Sequence, residues 1–160
     1  MISCKINDIP KFMSLLFSSE SFDSFYLSEA VIRTFSTFTI DGHTNVEFYD
    51  DTVEFEKYAT WASLRPLCRE LIKGKRIPVS MRFSFLISDK TKNELLEESG
   101  YPGTYEGIHF IFNIIFEGND LKIISATSTN TFMFDKSYEK VWDDGFRVML
   151  TKLNLSFEES

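Results

Sequence analysis

Histidine and cysteine are scarce in this 160-residue chain, two of each, and their scarcity removes whole classes of chemistry. His43 and His109 stand far apart, with no HExxH and no paired cysteines near either, so neither zinc nor any cofactor is expected. Cys4 and Cys68 are too few for a disulfide framework and are expected as reduced thiols. Phosphate-binding motifs are missing as well. The fragment KGKR lacks the upstream glycine and the following Ser or Thr of a phosphate loop, no GxGxxG opens a helix after a strand, and no GxSxG elbow exists. No apolar run approaches the length of a membrane span, and the start MISCKINDIPKFM has neither a sustained apolar segment nor a small-residue cleavage site. The expectation is a soluble cytoplasmic protein with no membrane partner.

Positive charge is also in deficit. Seventeen Lys and Arg face 24 Asp and Glu, a net charge of -7. Long-range repulsion therefore opposes non-specific binding to nucleic acid or to an anionic membrane. The acidic doublets Asp50-Asp51, Glu97-Glu98 and Asp143-Asp144 have the composition of acid/base or Mg²⁺ carboxylates. Adjacent residues on a helix point apart, however, so the doublets read as solvated charge. No catalytic residue is assigned.

What the chain has in quantity is phenylalanine, 17 residues, within a 43% hydrophobic composition. That load requires a large packed interior, and 160 residues suffice to bury one without disulfides or metal. A single α+β domain over 1–160 is expected, with a frayed tail at 155–160. Surplus aromatics are compatible with a homodimer face.

Hydrophobic periodicity gives the element order β-α-β-β-α-β-α-β-β-α. Ile2, Cys4 and Ile6 alternate as a short strand. Asp8 caps a helix buried through Ile9, Phe12, Met13, Leu16 and Phe17 and ending near Ser18. Residues 25–40 are β-branched and aromatic, with a parity change between Leu27, Val31 and Phe35 and the pair Phe38 and Ile40. Either a bulge reverses the face or both faces are covered. Asp41-Gly42 signals a hairpin turn into a strand at 44–48. Val79 to Ile87 alternates cleanly, Ser88 or Asp89 caps a short helix, and SGYPG ends it. Ile108 to Phe116 is apolar on both parities and reads as a central strand covered on both faces. Gly118-Asn119-Asp120 turns it into 121–129, whose SATSTNT end reads as an exposed edge or as a hydroxyl-lined groove. Asp135 caps the last helix, with Tyr138, Val141, Trp142, Met149 and Leu153 inward and Gly145 marking a close crossing over the sheet.

The stretch WASLRPLCRELIKGKRIP, residues 61 to 78, combines a helix with the only concentrated positive charge. Leu64, Leu67, Cys68, Leu71 and Ile72 share one face of a helix over about 64–73. Ser63 stands at its N-cap, Pro66 in its first turn and Gly74 past its end. Arg65, Arg69, Lys73, Lys75 and Arg76 lie outside that face, interrupted by Glu70. Two readings stay open: cations that suit the negative end of a helix dipole, or an anion-binding face for a protein partner or acidic ligand.

The segments FTIDGH (38–43), WASLRPLCRELIKGKRIP and TFMFDKSYEKVWDD (131–144) resemble those of an uncharacterised Firmicutes family carried as a domain of unknown function, over nearly the whole chain. The resemblance implies a bacterial, free-standing domain and no activity. Three functions follow from the sequence: first, a non-enzymatic cytoplasmic interaction module using the basic helix face; second, a small-molecule binder or enzyme with a groove beside 125–131; third, a nucleic-acid binder.

Overall fold

The computed structural model describes residues 1–160. The elements run β1 (Ser3–Ile6), α1 (Ile9–Ser18), β2 (Tyr26–Arg33), β3 (Thr37–Asp41), β4 (Ala59–Thr60), α2 (Trp61–Ile72), β5 (Ser80–Leu86), α3 (Asp89–Glu98), β6 (Ile108–Glu117), β7 (Asp120–Thr129), α4 (Tyr138–Lys152) and β8 (Phe157–Glu159). Every pairing is antiparallel, in the order β3-β2-β5-β6-β7-β1-β8, with β4 beside β2. The fold is α+β, and its element order follows the expected one apart from added β4 and β8 and a relocated first hairpin.

One face of the sheet carries the core. Phe83 pairs with Ile114, Phe85 with Phe112 and Met81 with Phe116, all buried. The helices and the turn after α1 deliver their aromatics to the same face: Phe17 and Trp61 against Phe83, Phe22 from the turn and Phe146 against Phe112, Trp142 stacked on Phe110. The opposite face is open, with Arg82 exposed and Ile111, Asn113, Ile115 and Ile124 only half-buried. The reading of β6 as covered on both sides is thereby corrected. An antiparallel sheet can leave one face to water, and isolated apolar residues populate surfaces freely.

Between 25 and 42 the chain makes two strands where one was expected. Ser28 is an extra residue between Leu27 and Glu29 in the pairing with β5, and the buried set shifts from Leu27 to Ala30 and Ile32 across it. A bulge does reverse the face, but at Ser28 rather than between Phe35 and Phe38, so Val31 and Phe35 do not share the buried face of Leu27. The turn, however, is Thr34-Phe35-Ser36, between the paired Arg33 and Thr37, and Phe35 there is 93% exposed. Asp41-Gly42 is no hairpin turn: Gly42 continues the edge, donating to Ser28 O at 2.9 Å. Residues 44–48 are likewise not a strand but a loop with a 3-10 turn at Val46–Phe48.

Asp8 and Ser88 cap α1 and α3 as expected, accepting from Lys11 N at 3.1 Å and Thr91 N at 3.3 Å. The start of α2 differs. Trp61 N donates to Phe25 O at 2.8 Å and Ala62 N to Asp23 O at 3.3 Å. With first-turn donors satisfied by backbone from elsewhere, the helix begins at Trp61 rather than after Ser63, and Pro66 falls in its second turn. Of the five apolar residues expected inward, Cys68 is fully buried, Leu64, Leu71 and Ile72 are half-buried, and Leu67 is 52% exposed at the margin of the face. In α4 the N-cap is Ser137, whose N–H is held by Asp135 Oδ1 at 2.9 Å, rather than Asp135. The tail expected to fray forms β8 on β1, and Arg147 on α4 binds Glu159. No helix is long and apolar enough to cross a membrane.

Cys4 and Cys68 are separate, fully buried thiols. Burial pushes Cys68 up to about 12 and, reinforced by Glu159, Cys4 up to about 11. Thiolate is the reactive form. The native protein is therefore expected to show no titratable thiol to a disulfide reagent at mildly alkaline pH, and both thiols once denatured. A thiol that reacts in the native state at the rate of the unfolded chain would refute this packing.

Candidate functional site

The apolar residues of α4 span a wider arc than one sheet can cover. Tyr138, Trp142, Phe146 and Leu150, four residues apart, are buried against the sheet. Next to them Val141, Gly145, Val148 and Met149 form a second stripe. This stripe is one wall of a trough of about 860 Å³ whose other wall is α3, through Thr91, Leu95 and Glu98. Tyr101 and Pro102 close one end; Ser21, Phe25 and Leu153 close the other. The helices are antiparallel here, because Tyr101, just past α3, packs edge-to-face on Tyr138 in the first turn of α4.

Gly145 sets the spacing of the two walls. A Cβ there would meet Leu95 Cδ1 at 3.1 Å, so the close crossing expected over the sheet is made against α3 instead. Tyr101 donates its hydroxyl to Asp135 O at 2.9 Å, and burial holds its pKa above the ordinary value. Lys140 Nζ lies 2.7 Å from Asp144 Oδ2, and this bond, more than the nearby Arg147, keeps the Asp144 carboxyl below its usual range. The Asp144 carboxylate therefore keeps its charge at neutral pH. Glu98 and Lys152, at opposite ends of the trough, enter no ion pair. The trough thus offers apolar area, hydroxyls and fixed charge, the ingredients of binding.

The five cations singled out in the sequence divide. Arg65 makes a bidentate pair with Asp23, Nε to Oδ1 at 2.8 Å and Nη2 to Oδ2 at 3.0 Å, which holds the guanidinium charged and occupied. Lys73 lies 3.8 Å from Glu70 in an exposed pair. Arg69, Lys75 and Arg76 are exposed and enter no ion pair. Of the polar row at 125–131, Ser125 is fully buried between Ile2 N and Asp143 Oδ1, and none of the seven lines the α3–α4 trough. The histidines stay apart: His43 Nδ1 contacts Asp41 Oδ1 at 2.6 Å, and His109 Nε2 contacts Asn130 Oδ1 at 3.2 Å. No group of three or more His, Cys, Asp or Glu side chains is placed to hold a metal.

The trough escaped the sequence reading because Val141 and Met149 fit a buried face as well as an exposed one. The available signal was the width of the α4 arc, which includes Val148, 52% exposed.

A one-sided antiparallel sheet packed with four helices, with a trough between α3 and α4, defines an α+β protein. The chain belongs to the family of unknown function DUF5721, whose model matches residues 15–158. The three segments that carried the resemblance lie within that span. No curated protein and no solved structure matches the chain.

Proposed function

We propose that this protein is a cytoplasmic interaction module that receives an amphipathic helix of a partner protein in the α3–α4 trough. The observation that carries this reading is the α4 stripe, which runs from Ser137 to Lys152 along the whole helix. At about 1.5 Å per residue the stripe is about 22 Å long, a length that a four-turn helix covers fully and a drug-sized molecule covers in part. The free charges give the occupant a polarity. An acidic first turn over Lys152 and a basic last turn over Glu98 suit both these residues and the partner helix's own dipole, so the partner runs antiparallel to α4. Two unpaired buried thiols support a reducing compartment.

The test is an NMR titration with a synthetic four-turn peptide carrying Leu at i, i+4, i+7 and i+11, an acidic N-terminal turn and a basic C-terminal turn. Amide shifts are expected at Leu95, Val141, Gly145 and Val148, with weaker binding by a peptide of reversed polarity. Val148→Glu, at an exposed site, is expected to remove binding without unfolding the protein. Shifts produced by dodecanoate with none from either peptide would overturn the reading in favour of a small apolar ligand.

A further inference from the structure

We propose that a second copy of this chain pairs with β3, joining the two sheets across a two-fold axis through Thr39. This inference does not rest on the α3–α4 trough.

β3 pairs with β2 on one side, and no strand lies along its other side. Edge strands are ordinarily guarded by lysine, proline, a bulge or a covering element. Thr-Phe-Thr-Ile-Asp has no lysine, proline or bulge and a single charge, Asp41 at its last residue, whereas the opposite edge, β8, is three residues long and carries Glu158 and Glu159. Outward-facing amide groups recur at every second residue, so antiparallel pairing of a strand with its own copy joins residues of like parity. Centred on Thr39, the pairing uses all five residues. Thr39 meets Thr39, Phe38 meets Ile40 and Thr37 meets Asp41, with no like charges opposed. Phe38 and Ile40, half-buried on the helix-bearing face, then cover each other.

The two ends of this edge carry opposite charge. At the Thr37 end, Val79 N donates to Arg33 O at 2.8 Å, so the segment holding Lys73, Lys75 and Arg76 arrives there. Phe35 and Ile77 are exposed at the same end. At the Asp41 end, Thr44 N donates to Lys57 O and Ala59 N to Gly42 O. The intervening loop leaves and returns there with Glu47, Asp50, Asp51, Glu54 and Glu56 and with exposed Phe48. A two-fold axis at Thr39 lays each acidic loop over the other copy's basic segment, and brings the loop aromatics towards Phe35. The unpaired Lys75 and Arg76 and the exposed aromatics at both ends thereby gain partners in one arrangement.

Thr39→Cys tests the axis. Residues facing each other across antiparallel strands have Cα atoms about 4.5–5.5 Å apart, within disulfide range, and the native thiols are buried. Oxidation is expected to give a covalent dimer with Thr39→Cys, none with Thr37→Cys or Asp41→Cys alone, and a covalent dimer when those two are mixed. Sedimentation equilibrium tests the charges. The wild-type chain is expected to be dimeric at low salt and to dissociate as salt rises. K75E/R76E and D50K/D51K are each expected to weaken association by about tenfold or more, a loss of about 1.4 kcal/mol, and an equimolar mixture to restore it, since each loop then meets an opposite charge. A wild-type monomer at every concentration in low salt would overturn the proposal. So would a dimer that Thr39→Cys does not cross-link and charge reversal does not weaken.

Discussion

Gly42→Ala is expected to lower the melting temperature by far more than any other glycine substitution in the chain. A Cβ at Gly42 would lie 1.7 Å from Leu27 O and 2.6 Å from Leu27 C, contacts with backbone rather than with a flexible side-chain end. Neither partner is free to retreat. Gly42 N is bonded to Ser28 O and Gly42 O to Ala59 N, while Leu27 is fully buried and paired with both Phe85 and Ala59. Relief requires the bulge at Ser28 to open, and with it the junction of β2, β3 and β4. The cost is expected to be about 4 kcal/mol or more, a fall in melting temperature of roughly 8–16 °C for a chain of this size. Gly118→Ala is the matching control. Its φ is +59° and no atom lies within 4 Å of the new Cβ, so only left-handed backbone strain of about 1–2 kcal/mol is incurred. Thermal melts followed by circular dichroism separate the two. A Gly42→Ala protein that melts with the control would mean that β3 does not cross the β2 bulge as described.

The same glycine shows why part of the fold was legible in the sequence and part was not. Asp-Gly between β-rich segments is the expected signature of a tight turn, and the position does require glycine. The requirement comes from the backbone of Leu27, 15 residues earlier in the chain but one strand away in space, which no local pattern encodes. The true turn, Thr34-Phe35-Ser36, has no Gly, Asn or Asp and so carried no signal. By contrast a change of face within 25–40 was visible, because a bulge displaces every later side chain to the other face, but its place was not: the shift falls at Ser28, before Ala30 and Ile32, and not after Phe35. The helix caps divide in the same way. Asp8 and Ser88 act within three residues and were readable, whereas the first turn of α2 takes its acceptors from Asp23 and Phe25.

The basic stretch illustrates how a sequence pattern can be right about composition and incomplete about availability. Arg65 shares its helix face with other cations, yet its guanidinium is committed to Asp23, 42 residues away in the chain. The remaining cations acquire meaning from what lies at the other end of β3, an acidic loop whose relation to them depends on sheet order. The α3–α4 trough was less visible still, since its walls come from two helices whose antiparallel approach depends on Gly145 meeting Leu95.

Trp61 joins these elements, and its replacement separates packing from hydrogen bonding. The indole is fully buried and meets Phe17, Phe83 and Phe85 edge-on at centroid distances of 5.9, 5.5 and 5.3 Å. Its Nε1 donates to Leu16 O at 2.8 Å. Leu16 lies in the last turn of α1, where carbonyls lack intrahelical donors, so the first residue of α2 caps the end of α1. Trp61→Ala removes both contributions and is expected to destabilise by about 3–5 kcal/mol, a large part of the roughly 5–15 kcal/mol that holds a domain together. Trp61→Phe keeps most of the aromatic contact but leaves the buried carbonyl without its donor, an expected loss of about 1–3 kcal/mol. Urea denaturation followed by circular dichroism measures both. Equal losses in the two variants would assign the stabilisation to the hydrogen bond, and a loss below about 1 kcal/mol in Trp61→Ala would refute the burial of this side chain between the helices and the sheet.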